Sequence, residues 1–304
     1  MNRKRLIKYL LCWFCVMATY SLTYAAKVEF PLIQSMSYFP YSNNALQEKG
    51  KLSWGIDVYY SNVYMFDEER TTLNDFETMS AAIGIRYGLR RGTTLELYYR
   101  HTAIFGGFLD KFIEDFHRAF NMPDNRRPDY PRDAVHYKYY DYFSYTSNEN
   151  AASPLVAALL QEIYRSGHFS LKGRLSLGLP LSKKPGFSSD KPFLTGGLVM
   201  NYARRKFSLE WANYLSFYKK PTWLGDEDIH TSLFYSGLEA YLGRFIFGFT
   251  FRSSVFKTGD LASDGYQAYF GYKFTRFLEF IILEDFYPFD TTPDICFNIR
   301  LRFL

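Results

Sequence analysis

The chain has 304 residues, 20% of them aromatic and 22% charged, and a formal charge of +5. Four of its basic residues (Arg3, Lys4, Arg5, Lys8) stand in the first 25 positions, which hold no acid, so the remainder is close to neutral. That balance excludes a basic nucleic-acid-binding surface, and no apolar run after residue 25 is long enough for a spanning helix, which excludes a helical membrane bundle.

The first segment reads as a signal peptide over residues 1–25. A basic start, Asn2-Arg3-Lys4-Arg5, precedes an apolar run from Tyr9 to Ala18, and Thr23-Tyr24-Ala25 places small residues around a cut near Ala25. The apolar core is short for an uncleaved anchor. Cys12 and Cys15 leave with the leader, so the mature chain keeps Cys296 alone, with no internal disulfide and no cysteine-based zinc site. An exported chain without disulfides needs another closure, and a fully hydrogen-bonded barrel supplies one. Residues 26–50, broken by Pro31, Pro40, Asn43 and Asn44, predict an irregular segment on the periplasmic side or folded into a barrel mouth. The barrel itself is expected over 51–304.

Twelve strand-like runs follow, at 52–62, 76–87, 93–103, 153–165, 168–179, 193–202, 207–217, 231–241, 245–255, 265–274, 277–286 and 294–303. The fourth lacks clean alternation and is equally compatible with a short helix. Short links (88–92, 166–167, 203–206, 242–244 and 275–276) alternate with long ones (63–75, 104–152, 180–192, 218–230, 256–264 and 287–293). Short periplasmic turns, long external loops and an even strand number characterise outer-membrane barrels. A soluble all-β fold has no reason to alternate in this way.

Parity leads to the same fold class, an all-β transmembrane antiparallel barrel of about twelve strands. Side chains alternate between the two faces of a strand. In the closing run Ile295, Phe297, Ile299, Leu301 and Phe303 fall on one face, and Cys296, Asn298, Arg300 and Arg302 on the other. About nine to eleven tilted residues cross a bilayer core. The competing reading of this run is an edge strand of a soluble sandwich. Inward parity elsewhere collects Asp57, Arg86, Glu96, Arg100, Lys172, Arg174, Glu210, Glu239, Arg252, Lys273 and Glu279, which with Arg300 are the expected lumen and solute-path positions. Their mixed signs fit a packed lumen as well as a water-filled path. Arg300→Gln is accordingly expected to be far milder than Ile299→Arg.

The external segment 104–152 contains the one helical pattern. Over 107–120, Leu109, Phe112, Ile113, Phe116 and Phe120 form a stripe, Asp110 sits in the first turn, and Asn121 with Pro123 ends the run. This predicts a lid or plug helix. Asp110, Glu114 and His117 share its flank as a hydrated edge, a general-base site or a metal site. Arg126, Arg127 and the Tyr137–Tyr142 stretch follow, the latter suited to stacking on sugars or to packing over the mouth.

Residues 26–44, the run Gly106-Gly107-Phe108-Leu109-Asp110-Lys111-Phe112-Ile113-Glu114-Asp115-Phe116-His117 and the closing Leu278–Asp294 region resemble a group of bacterial outer-membrane barrel proteins known only as a domain of unknown function. The resemblance spans most of the mature chain. It implies a barrel in the outer membrane and brings no known chemistry.

The leading functional expectation is passage or binding of a small solute, with outer-membrane lipids and the barrel-assembly machinery (through the C-terminal strand) as partners, and no cofactor, metal or nucleic acid. The alternative is a membrane-embedded hydrolase of phospholipase type. His230-Thr231-Ser232 has the His-x-Ser spacing at an outer strand end, and Asn213 is an outward polar residue on the neighbouring strand. Pairing should put Asn213 opposite about Tyr235, some three residues from Ser232. A structural or adhesion barrel acting through its loops is the third class.

Overall fold

A computed structural model describes residues 31–36, 45–66, 72–120, 131–226, 228–253, 265–285 and 295–303. The expected leader, Arg126 and Arg127 lie outside these. Twelve long strands form one antiparallel sheet: β1 (Leu52–Phe66), β2 (Thr72–Arg90), β3 (Thr93–Phe105), β7 (Leu155–Ser166), β8 (Phe169–Leu179), β9 (Phe193–Arg204), β10 (Phe207–Tyr218), β11 (Ser232–Leu242), β12 (Phe245–Arg252), β13 (Gly265–Lys273), β14 (Leu278–Asp285) and β15 (Ile295–Phe303). Each pairs with its neighbours in this order, and β15 pairs with β1 in the register Asp57↔Arg300. The sheet is therefore a closed barrel without a free edge. Three short strands, β4 (His136–Tyr139), β5 (Phe143–Tyr145) and β6 (Glu149–Ala152), extend β2 and β3 beyond one rim.

Short turns gather at one end. Four two-residue turns carry a positive φ at Gly92 (76°), Gly167 (54°), Arg205 (52°) and Gly243 (64°), the backbone that a tight hairpin between right-twisted strands requires. The long links lie at the opposite end, the one the sequence reading expects to be external. There β1 and β2 remain paired as far as Phe66↔Leu73, so the predicted 63–75 link contracts to 67–71, outside the described residues.

The ambiguous fourth run is a strand. Its alternation is hidden because the inward residues Val156, Ala158 and Leu160 are apolar as well. Ala158 stands opposite Glu96 in the ladder, and Leu160 stands opposite Arg174. Uncharged side chains there leave room for an ion pair that reaches from β3 to β8 across β7.

Outward positions form a continuous apolar belt. Trp54, Ile83, Leu97, Leu159, Leu175, Phe247 and Ile299 are each 40–53% exposed. Such a surface is stable against hydrocarbon and costly in water.

Candidate functional site

The lumen is filled by side chains from facing strands. Cross-strand neighbours Arg86 and Glu96 pair at 2.7 Å, and Arg174 reaches the same carboxylate at 2.8 Å. On the other wall Arg300 lies 3.4 Å from Glu239 and 3.7 Å from Glu279, while its Nε donates to Asn298 Oδ1 at 2.9 Å. Lys273 pairs with Glu279 at 3.2 Å, and the Tyr269 hydroxyl donates to Glu239 at 2.9 Å. Arg302 meets Asp57 at 2.7 Å, Asn201 donates to Glu210 at 2.6 Å, and Arg100 lies 4.2 Å over the Tyr59 ring. Arg300 is 0% exposed, and Arg252, Lys172, Glu96 and Glu239 are all buried. Burial on this scale means that the charges neutralise one another in a packed interior, where each depends on its partners.

Above this charged tier the external mouth is closed by an apolar core. Inward residues Val63, Phe76, Ile104, Val156, Phe193, Tyr218 and Leu233 meet Tyr137, Tyr139 and Phe143 of the β4–β5 hairpin, Phe187 of the 180–192 loop, and Leu224 and Ile229 of the 219–231 loop. The Tyr137 ring lies tilted against Phe76 (4.8 Å) and edge-on to Phe143 (4.6 Å) and Phe187 (5.6 Å), and its hydroxyl donates to the Gly186 carbonyl. Burial raises the Tyr137 pKa well above its usual value, so the ring is neutral in the cap. The tyrosine-rich stretch thus packs over the mouth.

The N-terminal segment is part of this plug. Residues Pro31–Gln34 form one helical turn, and Leu32, Ser35 and Met36 are each 0% exposed. Ser216 of β10 donates to the Met36 carbonyl at 3.0 Å, and Ser189 donates to the Ser35 carbonyl at 3.2 Å. At the opposite rim, the Gln47 amide donates to Thr94 Oγ1 at 2.8 Å, and Gly50 and Lys51 pair with Gly88. A Cβ on Gly88 would strike the Glu48 carbonyl, so glycine is what allows this close approach. One segment therefore has described contacts at both ends of the lumen.

The helix forms over Leu109–Phe120, within the predicted range, but it does not cover the lumen. Asn62 and Glu77 face each other in the β1–β2 register and have outward parity. The helix sits on them. Asn62 Nδ2 donates to Asp110 Oδ1 at 3.1 Å, the Leu109 amide donates to Glu77 at 2.5 Å, and Tyr60 also donates to Glu77. A Cβ on Gly107 would collide with the Glu77 carboxylate. Asp110 further accepts from the Asp133 amide at 2.7 Å, and Arg132 binds Glu114 through two nitrogens, Nε at 3.0 Å. The expected lid is thus an external buttress, because its polar flank found partners on the outer wall. Asp110 and Glu114 are buried against protein. The side chain of His117 lies outside the described residues.

The matching family model covers residues 16–216 and is described as "Protein of unknown function (DUF3187)". The chain belongs to this family. Among solved structures, the COG4313 outer membrane channel from Pseudomonas putida F1 is similar with a TM-score of 0.55 at 12% identity, covering 88% of this chain and 99% of that one. The Omp33 outer membrane protein of Acinetobacter baumannii aligns over 84% of this chain and 99% of its own at 9% identity and a TM-score of 0.38. Curated proteins yield no match. The DUF3187 chain shares the fold of an outer-membrane barrel.

The remaining sequence candidates are not gathered in this DUF3187 member. Asn213 pairs with Ser236 rather than Tyr235, and Ser232 pairs with Phe217. Four residues of strand, about 13 Å, separate Asn213 from Ser232, and His230 is an exposed loop residue. Among the described residues no cluster of His, Cys, Asp and Glu could hold a metal ion. Sequence reasoning had left residues 26–50 to the periplasmic side or the barrel mouth without singling out Leu32, Ser35 and Met36, and it gave no signal for Ser189 and Ser216.

Proposed function

We propose that the protein is an outer-membrane channel for a small hydrophilic solute, closed at rest by residues 31–36 and the aromatic cap, and opened when they are displaced. The reading includes export with cleavage near Ala25 and assembly through the C-terminal strand. The observation that carries it is the seat of Leu32 and Met36, fully buried inside the barrel mouth yet belonging to none of its strands. A structural barrel could fill its mouth with wall side chains alone. A separate segment, held by the carbonyl bonds from Ser189 and Ser216 and by apolar contacts, can leave without breaking the wall. Below it lies a tier of charges that are packed and paired at rest, and that line a path for a polar solute once those pairs separate. The gating role foreseen for the helix passes to this segment, and the solute-path residues keep their proposed role as that lower tier.

Deletion of residues 31–36 from the full chain tests this in planar bilayers. The intact protein should show small or rare openings, and the deletion variant a steady ohmic current. A deletion variant that keeps the heat-modifiable mobility of a folded barrel in SDS but remains as silent as the parent rejects the proposal.

A further inference from the structure

The Leu109–Phe120 helix buries two carboxylates beside Leu109 and Ile113 and leaves phenylalanines exposed. The carboxylates of Asp110 and Glu114 are 4% and 3% exposed, whereas Phe108 and Phe112 are 70% and 50% exposed. A surface helix in water turns its apolar stripe to the protein and its charges outward. This one shares its buried arc between Leu109 with Ile113 and hydrogen bonds to β1, β2 and the 132–133 turn, and leaves Phe108 and Phe112 uncovered.

The surroundings account for the exposed phenylalanines. Phe108 stacks on Tyr60 at 5.5 Å, and Tyr60 lies 5.8 Å from Phe105. Tyr60 and Phe105 have outward parity towards the long-link ends of β1 and β3. Between them on β2 stands Met79, 50% exposed and opposite Tyr60 in the ladder. The helix rests on Asn62 and Glu77, one outward step further along the same strands. Its exposed phenylalanines thus continue the apolar belt past its external margin. Lys111, Asp115 and Arg118 form a separate row, joined by ion pairs of 2.6 and 2.9 Å, on the remaining arc. Helices with one apolar and one charged free face lie in the plane of a membrane interface.

We infer that this helix is seated in the outer leaflet, with Phe108 and Phe112 inserted among lipid chains at the level of the headgroups and the Lys111–Asp115–Arg118 row turned to water. The partner is lipid, and the surface is independent of whether the lumen conducts. It makes the helix a membrane-facing buttress, bonded through Glu114–Arg132 to the chain that leads into the cap hairpin.

Site-directed spin labelling of the full chain in liposomes tests this. In a background with Cys12→Ser, Cys15→Ser and Cys296→Ser, single nitroxides are placed through Phe112→Cys, Phe108→Cys and, as the aqueous reference, Asp115→Cys. The ratio of oxygen to water-soluble nickel-complex collision rates should be several-fold higher at positions 112 and 108 than at 115. Labels at 112 and 108 as accessible to the nickel complex as the label at 115 would overturn the inference. Labels shielded from both reagents would overturn it too, by placing the face against protein. Labelling at 108 keeps the test decisive if the 112 variant assembles poorly, and heat-modifiable mobility in SDS certifies folding.

Discussion

Ile299 and Arg300 are chain neighbours with opposite solvents. Ile299 is 42% exposed on the lipid side, and Arg300 is 0% exposed inside. Ile299→Arg places a charge in the belt, at about 2–4 kcal/mol near the bilayer midplane. Read from the sequence, Arg300→Gln should be far milder, since a water-lined arginine tolerates loss of charge. The structure reverses this. Glu239 and Glu279 both lie against the Arg300 guanidinium, and removing it leaves buried carboxylates short of a cation, at about 3–5 kcal/mol. Urea-driven unfolding in lipid vesicles should show the two variants comparably destabilised. A near-neutral Arg300→Gln would mean that water reaches this tier.

At the scale of the element, the helix and the cap hairpin are one mechanical unit. Asp110 accepts from Asn62 on the barrel wall and from the Asp133 amide on the chain leading to β4. Hydrogen bonds to a charged group contribute about 1.5–3 kcal/mol each. Asp110→Ala should therefore free the helix locally and leave the twelve-stranded wall intact. The expected readout is faster protease cleavage within 104–152, with unchanged heat-modifiable mobility. Cleavage at the parental rate would show that the Glu77 and Arg132 bonds and the Leu109 and Ile113 packing hold the helix without Asp110.

At the scale of the whole molecule, a closed wall encloses two unlike fillings. The external half is aromatic and apolar, and the middle is charged. Basic residues outnumber acidic ones among the inward charged positions, even though most are paired. A variant lacking residues 31–36 should accordingly prefer anions, and the preference should shrink as salt screens the wall. Reversal potentials under a potassium chloride gradient measure it. Cation preference would show that Glu210, Glu239 and Glu279 dominate the open path.

Strand number, register parity and the two ends of the barrel were legible in the residues. Their cause is local: side chains alternate with period two, and a lipid-facing wall must be apolar at every second position. The closing run could be assigned face by face, from Ile295 to Phe303. The fourth run was harder, because Val156, Ala158 and Leu160 are apolar on the inward face as well. Helix formation at 109–120 was equally local. Its seat was not, since a stripe of phenylalanines states what the helix must cover and cannot distinguish a lumen from a lipid leaflet. Asp110 and Glu114 looked like a site because their partners, Asn62, Arg132 and the Asp133 amide, are remote in sequence. Residues 31–36 carried no pattern, because their bonding partners come from β10 and the 180–192 loop, both remote in sequence. Only closure of the chain on itself brings those groups together, and with them the occlusion of the lumen.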